Sequence, residues 1–282
     1  MAEYHFKSLM SPNEYIKRVF RFDTVIYYIT NFSVYCSVQG NNSRDEYTYA
    51  VSLPDKSFKG VDNGFEPFAL RVGKYFMITL GKGEPFITSL AKPVLAKPVP
   101  GWMPGWEING GLALINNLIV CAGKNKATDT YNNKVFWSNF AYDDEMPTLW
   151  DPTVTENNSS GFNTFAEFNK IYGLLKSGDS LMIYADTGTK SMSYVGGDDI
   201  FAFRDLLEHD FPVRGFNSIA RTRKGHVMIT NDDVVMHNGV QASSIIGNVR
   251  NRILDVIRAP DTDTRVIFMS HRDELLIVHK PN

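Results

Sequence analysis

Residues 135–152, VFWSNFAYDDEMPTLWDP, decide how the chain is interpreted. They read as a strand that ends in the aromatic pair Phe136 and Trp137, followed by a polar loop that Trp150 closes. About twenty residues further on, residues 171–195, IYGLLKSGDSLMIYADTGTKSMSYV, have the apolar runs and the Ser-Gly-Asp turn of a β-hairpin. Neither stretch contains a catalytic motif, so both predict architecture more than chemistry.

The composition is that of a folded protein of ordinary polarity. The chain has 282 residues, of which 43% are hydrophobic and 21% charged. That length is enough for one large all-β domain or two smaller domains. The formal net charge is -2, so the chain lacks the basic field that holds nucleic acid by neutralising phosphates. We therefore expect any contact with DNA to be transient.

The two cysteines, Cys36 and Cys121, each lie inside an apolar strand-like run, SVYCSV and LIVCAG. Small buried thiols are common in such runs, so we favour two free cysteines over a disulfide. The first residues contain no apolar core of a signal peptide, and no apolar run is long enough to cross a bilayer. We expect the protein to be made in a reducing cytoplasm.

Short β-rich runs recur along the chain, and several follow a turn that contains glycine. The runs are SVYCSV (33–38), YFMITL (75–80), LIVCAG (118–123), LMIYAD (181–186), HVMITN (226–231) and ELLIVHK (274–280). They begin roughly forty to sixty residues apart, which is close to the length of one four-stranded propeller blade. The spacing predicts an all-β, β-propeller-like fold of about six blades of antiparallel strands with loop insertions. A sandwich or a pair of barrels would show similar runs and stays an alternative.

One loop between these runs is rich in proline and tryptophan. Residues 92–106, KPVLAKPVPGWMPGW, must be extended or turning over most of their length. Trp102 and Trp106 need an apolar surface to cover them, because exposed tryptophan is costly. That surface belongs either to the same chain or to a neighbouring subunit, and the sequence does not choose between them.

Two helical segments are predicted. Thr164 is placed to cap a short helix that would bring Phe165 and Phe168 to one face. Apolar residues at four-residue intervals predict a longer helix over residues 248–258, NVRNRILDVIR.

The sequence contains none of the familiar motifs for catalysis, metals or cofactors. It has no Gly-x-Ser-x-Gly elbow, no phosphate loop and no dinucleotide fingerprint. The histidines lack the spacing of a zinc site and lie near no cysteine; they are His5, His209, His226, His237, His271 and His279. The acidic runs read as turns; they are Asp143-Asp144-Glu145, Asp198-Asp199, Asp232-Asp233 and Asp261 with Asp263. We predict no catalytic, cofactor-binding or metal-binding residue.

Residues 186–189, DTGT, resemble the middle of the Asp box, the hairpin turn of sialidase-type propellers. Tyr184 and Ser191 stand where that box has its serine and its tryptophan. The box is a structural turn in that family, so the resemblance implies a propeller hairpin and does not imply hydrolysis.

A longer resemblance begins at the opening stretch. The structural tail proteins of short-tailed bacteriophages carry segments similar to the following, in the same order: VFWSN (135–139), PTLWDP (147–152), GLL (173–175), SLMIYADTGTKSM (180–192) and HVMITNDDVVMHNG (226–239). The resemblance divides the chain in two. Residues 1–111, an N-terminal β-rich part that would form the first blades or a platform, match nothing in that family, and residues 112–282 form the propeller-like part that carries the resemblance.

The resemblance implies a tail hub or tail nozzle subunit with a β-propeller. Such a subunit forms a homo-oligomeric ring, usually six-fold, below the portal and adaptor, and lines the channel for DNA ejection. The implied partners are copies of the same chain, other tail proteins such as the adaptor or fibres, and viral DNA in transit without specific binding. The implied location is the tail of the virion, assembled in the host cytoplasm, with no membrane-spanning segment.

From these observations we predict a non-enzymatic virion structural protein. Trp102, Trp106, Trp137 and Trp150 would serve as structural or interface residues. The alternative is a glycan-binding or glycan-hydrolysing β-propeller that acts at a cell surface, and a third hypothesis is a monomeric propeller that binds another protein. The state of assembly distinguishes the first hypothesis from the second.

Overall fold

The structure is a computed structural model that describes residues 10–39, 46–54, 65–142, 145–154, 156–206, 211–239, 241–258 and 263–280. Contacts divide the chain into two compact units. Unit 1 comprises residues 1–130 and 134–163, and unit 2 comprises residues 131–133 and 164–282.

Unit 1 contains three four-stranded antiparallel sheets, and in each sheet every strand pairs with its neighbours in the sequence. The first sheet has β1 (Ile16–Phe22), β2 (Val25–Thr30), β3 (Val34–Gln39) and β4 (Glu46–Ala50). The second has β5 (Phe68–Val72), β6 (Tyr75–Thr79), β7 (Phe86–Ser89) and β8 (Lys92–Pro98). The third has β9 (Trp106–Ile115), β10 (Leu118–Asn125), β11 (Lys134–Phe140) and β12 (Gly161–Thr164).

Unit 2 contains two more sheets of the same kind and one hairpin. The fourth sheet has β13 (Ile171–Ser177), β14 (Ser180–Ala185), β15 (Thr189–Tyr194) and β16 (Phe201–Asp205). The fifth has β17 (Ile219–Arg221), β18 (His226–Ile229), β19 (Val234–His237) and β20 (Ala242–Ser244). Helix α1 (Arg250–Arg258) follows, and then the two-stranded sheet of β21 (Asp263–Met269) and β22 (Glu274–Lys280).

The all-β, β-propeller-like prediction is confirmed, because a four-stranded antiparallel meander is the blade of a propeller. Each of the six apolar runs picked from the sequence lies in a different sheet, on β3, β6, β10, β14, β18 and β22. The described residues form five sheets of four strands and one of two strands.

Five of the six runs lie on inner strands, whose two faces are both covered, and the sixth lies on β22 of the two-stranded sheet. Every residue of β18 is buried, and the first six residues of β10 are buried. The outer strand β1 alternates between exposed and partly buried residues, and its sequence, IKRVFRF, mixes charged with apolar residues. A search for apolar runs therefore finds the middle of each four-stranded sheet and misses its edges.

The helix predicted over residues 248–258 is confirmed, with a 3-10 turn at Gly247–Val249 before the α-helix begins at Arg250. Leu254 is buried and Ile253 packs partly against the same cluster, while Val249 is 47% exposed. The apolar face therefore differs from the four-residue pattern read from the sequence, in which Val249 belonged to the buried side. The 3-10 geometry at Val249 accounts for the difference, because it breaks the α-helical phase.

The short helix predicted after Thr164 is wrong. Thr164 ends β12, and the backbone N–H of Phe165 donates to the carbonyl of Asn133. A single turn follows, in which the N–H of Phe168 donates to the carbonyl of Phe165. Both phenylalanines are buried, with ring centroids 5.2 Å apart, so a turn brings them together without a helix.

Two smaller predictions are confirmed. Cys36 and Cys121 are free and fully buried, and burial raises the pKa of the Cys36 thiol to about 11. Asp232 and Asp233 lie in the loop between β18 and β19, where the N–H of Thr230 donates to the carbonyl of Asp233.

Within the described residues, no helix has the length and apolarity needed to cross a bilayer.

Candidate functional site

Three of the four tryptophans singled out from the sequence meet in unit 1. The rings of Trp102 and Trp150 have centroids 4.8 Å apart in an edge-to-face arrangement. Phe136, on β11, lies 4.7 Å from Trp106 and 5.9 Å from Trp102. Trp150 is 1% exposed and Trp106 is 9% exposed, so both are covered by their own chain. We call Trp102, Trp106, Phe136 and Trp150 the aromatic cluster.

The turn between β8 and β9 places two members of the aromatic cluster. Gly101 has φ +62°, and a Cβ atom at this position would lie 1.8 Å from the carbonyl oxygen of Thr148. Only glycine therefore lets the turn approach the loop that follows β11. The indole N–H of Trp102 donates to the carbonyl of Trp106 at 3.0 Å, which fixes the Trp102 ring across the turn.

An open pocket of about 360 Å³ lies against the aromatic cluster. Its lining combines aromatic rings, prolines and one carboxylate: Gly101, Trp102, Met103, Pro104, Trp106, Asp151, Pro152, Thr153 and Phe162. Phe162 is 48% exposed, and its ring centroid is 6.0 Å from that of Trp106. We call this the aromatic pocket.

Asp151 supplies the charge of the aromatic pocket. Its Oδ1 accepts the Thr153 hydroxyl at 2.7 Å and the Thr153 N–H at 2.9 Å. These two bonds lower the pKa of the Asp151 carboxyl below its usual value. In the part of the chain that the structure describes, Oδ2 accepts no hydrogen bond. Asp151 is therefore an exposed, ionised acceptor at the rim of an aromatic surface.

Lys134 lies beside two rings of the aromatic pocket. Its Nζ is 5.6 Å from the ring centroid of Trp106 and 5.5 Å from that of Phe162. Asp129 accepts a hydrogen bond from this ammonium at 2.7 Å, and both side chains are largely buried. Each of these two rings thus already makes a cation–π contact with Lys134, whose charge Asp129 balances.

Trp137 is not part of the aromatic cluster. Because side chains alternate along β11, it points to the face opposite Phe136. Its indole N–H donates to the carbonyl of Ser159 at 2.8 Å, and an added Cβ at Gly161 would lie 2.6 Å from its ring. Trp137 therefore holds the segment before β12 in place.

Unit 2 contains a buried polar cluster made of Tyr184, His226 and His237. The Tyr184 hydroxyl is 2.6 Å from His226 Nδ1 and 2.5 Å from His237 Nε2. The N–H of Gly239 donates to His237 Nδ1 at 3.2 Å, and His226 Nε2 lies 3.1 Å from the carbonyl of Lys176. We call Tyr184, His226 and His237 the Tyr-His-His cluster.

One proton assignment satisfies every contact of the Tyr-His-His cluster. His237 Nδ1 accepts, so Nε2 carries the proton and donates to Tyr184, which donates in turn to His226 Nδ1. Both imidazoles are neutral in this assignment. The shifted pKa values agree with this assignment. Burial, and to a lesser extent the charge of His226, lowers the pKa of His237 to about 4. Burial also lowers the pKa of His226 and raises that of Tyr184.

The sequence predicts the pairing of the two histidines of the Tyr-His-His cluster but not the contact with Tyr184. His226 and His237 are cross-strand partners in the β18–β19 hairpin, and the Asp232-Asp233 turn that joins its strands was predicted. Extending its register from the Asp232-Asp233 turn would have paired the two imidazoles. Tyr184 lies 42 residues from His226 along the chain, in another sheet, so no local pattern connects it to them.

The remaining candidates from the sequence do not form a reactive site. Asp186, in the DTGT turn, accepts the backbone N–H groups of Asn169 and Lys170 at 3.1 and 3.2 Å, which is a structural use of the carboxylate. Among the described residues, no group of three or more histidine, cysteine or acidic side chains is placed to hold a metal. His5, His209, Asp143, Asp144 and Asp261 lie outside the described residues.

Comparisons with known proteins leave the family open. No protein-family model and no curated protein matches the sequence. Among solved structures, the AfRom2 CNH domain is 13% identical, covers 95% of this chain and 86% of its own, and has a TM-score of 0.45. An ancestral GH74 enzyme is 13% identical over 82% of this chain and 31% of its own, with a TM-score of 0.46. An α-L-arabinofuranosidase from Clostridium thermocellum is 10% identical over 78% of this chain and 80% of its own, with a TM-score of 0.40.

These neighbours correct one prediction. The sequence predicted that the protein is not an enzyme, and two of the structures that it resembles are enzymes. The lack of a familiar catalytic motif is therefore no ground for excluding catalysis, because groups that act together need not be neighbours in the sequence.

Proposed function

We propose that this chain is a structural subunit of the tail of a short-tailed bacteriophage, where copies of it form a hub or nozzle ring. The proposal rests on the resemblance found in the sequence and on where the resembling segments lie. VFWSN lies on β11, SLMIYADTGTKSM on β14 and β15, and HVMITNDDVVMHNG on the β18–β19 hairpin. These three segments thus belong to inner strands and hairpin turns of three sheets, which is the repeating framework of the fold. Of the other two segments, GLL lies on the outer strand β13 and PTLWDP lies in the loop after β11.

The β21–β22 hairpin offers a surface for assembly. It is the two-stranded sheet, and cross-strand pairing places Ile267 opposite Leu276 and Arg265 opposite Val278. The apolar members of this face are exposed, Ile267 by 44%, Leu276 by 42% and Val278 by 38%. A short sheet with an exposed apolar face is a surface that proteins usually cover, and a neighbouring subunit would cover it.

The charge of the chain suits a DNA channel. With a formal net charge of -2, the chain has no excess of lysine and arginine to release counterions from DNA. A wall that does not hold phosphates tightly lets DNA pass. In this proposal the ring contacts viral DNA only in transit and docks to other tail proteins, such as the adaptor or fibres, in the virion.

The test is the molar mass of the purified protein, measured by light scattering across a range of concentrations. We expect a discrete oligomer whose mass is a whole multiple of the monomer, with six copies as the number that the resemblance implies. A chain that stays monomeric at the highest soluble concentration and hydrolyses oligosaccharides would overturn the proposal in favour of a glycan-active propeller.

A further inference from the structure

The aromatic pocket in unit 1 has the chemistry of a sugar-binding site. We propose that it binds one ring of a neutral carbohydrate, with Phe162 and Trp102 as the stacking surface and Asp151 as the acceptor for hydroxyl groups. This inference does not rest on the proposed tail function, because it uses only the lining of one pocket.

The aromatic surface fits the apolar face of a sugar. A pyranose ring presents axial C–H groups on one face and hydroxyls around its edge, so it packs on an aromatic ring and donates hydrogen bonds sideways. Phe162 is 48% exposed and Trp102 is partly exposed, and both line the pocket. The pocket volume of about 360 Å³ lies within the range of small-ligand sites.

Asp151 selects a neutral ligand with hydroxyl donors. Its Oδ1 already accepts two bonds from Thr153, which leaves Oδ2 with free acceptor sites. An ionised carboxylate at the rim repels phosphates, sulfates and sugar acids. Neutral sugars donate to it from their hydroxyls, and hydrogen bonds to a charged group are the stronger kind.

Two other ligand classes fit the pocket less well. A cation would compete with Lys134, whose ammonium already lies against the rings of Trp106 and Phe162. A proline-rich peptide needs a donor for its backbone carbonyls beside the aromatic rings, and the indole N–H of Trp102 already donates to Trp106. Asp151 Oδ2 is a free acceptor in this pocket, and hydroxyl groups are donors that match it.

The walls of the pocket are fixed before any ligand arrives. Trp102 packs edge-to-face on the buried Trp150, and Gly101 holds the turn against Thr148. Thr153 orients Asp151 through two hydrogen bonds. A ligand therefore orders few side chains on binding, which favours affinity for a small molecule. The lining contains one carboxylate, whereas glycoside hydrolysis uses two, so the step that these residues support is binding.

The test is a titration of the full chain, followed by NMR or by tryptophan fluorescence. The probes are methyl glycosides of glucose, galactose, mannose and N-acetylglucosamine, and maltotriose. We expect saturable binding of at least one of them. Asp151→Asn keeps an oxygen for Thr153 but removes the charge, so we expect the affinity to fall about tenfold. Phe162→Ala should reduce the affinity by a similar factor, since it removes the exposed ring.

The controls separate this site from general effects. Tyr142 is 63% exposed in the same unit and does not line the pocket, so Tyr142→Ala should bind sugar like the wild type. Circular dichroism checks that each variant is folded. The proposal is overturned if folded wild type binds none of these sugars, if Asp151→Asn and Phe162→Ala bind them as well as Tyr142→Ala does, or if decaproline or a sulfated sugar saturates the pocket and the neutral sugars do not. Failure to form a ring would leave this proposal intact and would count against the tail function alone.

Discussion

At the scale of single residues, two tryptophans differ in what their indole N–H groups do. Trp137 donates to the carbonyl of Ser159, whereas Trp150 Nε1 is buried and has no partner among the described residues. Replacing either by alanine removes a buried ring and should cost about 3 to 5 kcal/mol. Replacement by phenylalanine should cost about 1 kcal/mol more at Trp137 than at Trp150, because only Trp137 loses a hydrogen bond. Urea unfolding followed by circular dichroism measures these differences. Equal costs for the two phenylalanine variants would show that the Ser159 bond contributes nothing.

Two glycines with similar backbone angles provide a matched pair of substitutions. Gly101 has φ +62° and Gly178 has φ +59°. An added Cβ meets nothing within 4 Å at Gly178 but lies 1.8 Å from a backbone oxygen at Gly101. Gly178→Ala should therefore cost about 1 kcal/mol for its left-handed conformation, and Gly101→Ala should cost clearly more. Thermal unfolding of both variants checks this order, and the reverse order would mean that the β8–β9 turn is wrongly placed.

The Tyr-His-His cluster makes the stability of unit 2 depend on pH. The pKa of His237 is about 4 in the folded chain against 6.5 for an ordinary histidine. The unfolded chain therefore binds a proton first as the pH falls, and the cluster loses stability between pH 6.5 and about 4, by about 3 kcal/mol at most. The charge of Arg221 lowers the pKa of His226 further.

The measurement is urea unfolding at pH 7.5 and pH 5. His237→Gln keeps an amide N–H for Tyr184 and does not titrate, so its stability should fall less than that of the wild type over this interval. His271 is exposed, and His271→Gln is the control that should keep the wild-type slope. If His237→Gln and His271→Gln have the same slope, the histidine of the cluster does not titrate as described.

At the scale of elements, the two strands of the β21–β22 hairpin are expected to mediate assembly. Ile267→Glu with Leu276→Lys places charges on its exposed face and should reduce the oligomer to monomers without unfolding the chain. Val195 is 54% exposed in the same unit and lies outside that hairpin, so Val195→Glu should leave the oligomer unchanged. Light scattering gives the mass and circular dichroism checks the fold. An intact oligomer in the double variant would place the subunit contact elsewhere.

Strands also differ in how well they can be predicted from the sequence. Inner strands such as β10 and β18 were predictable because both of their faces are buried and their sequences are continuously apolar. Edge strands such as β20, with the sequence ASS and every residue exposed, carry no such signal. The aromatic pocket was predictable in part, since its tryptophans were picked out, but Asp151 and Phe162 join it through contacts with residues at least 45 positions earlier in the chain. Long-range contacts of this kind leave no pattern in a single sequence.

At the scale of the whole molecule, the proposed tail function requires copies of this propeller-like chain of antiparallel sheets to assemble into a ring. Contacts between identical subunits that are related by rotation close into a ring only if the rotation angle divides the circle; otherwise they build open filaments. The proposed tail function requires that this ring closes, with an opening along the axis for DNA.

Negative-stain images of the purified oligomer test this claim most directly. We expect closed rings in end-on views, with one rotational symmetry and a stain-filled axial opening. Monomers, open filaments or compact oligomers without an axial opening would contradict it.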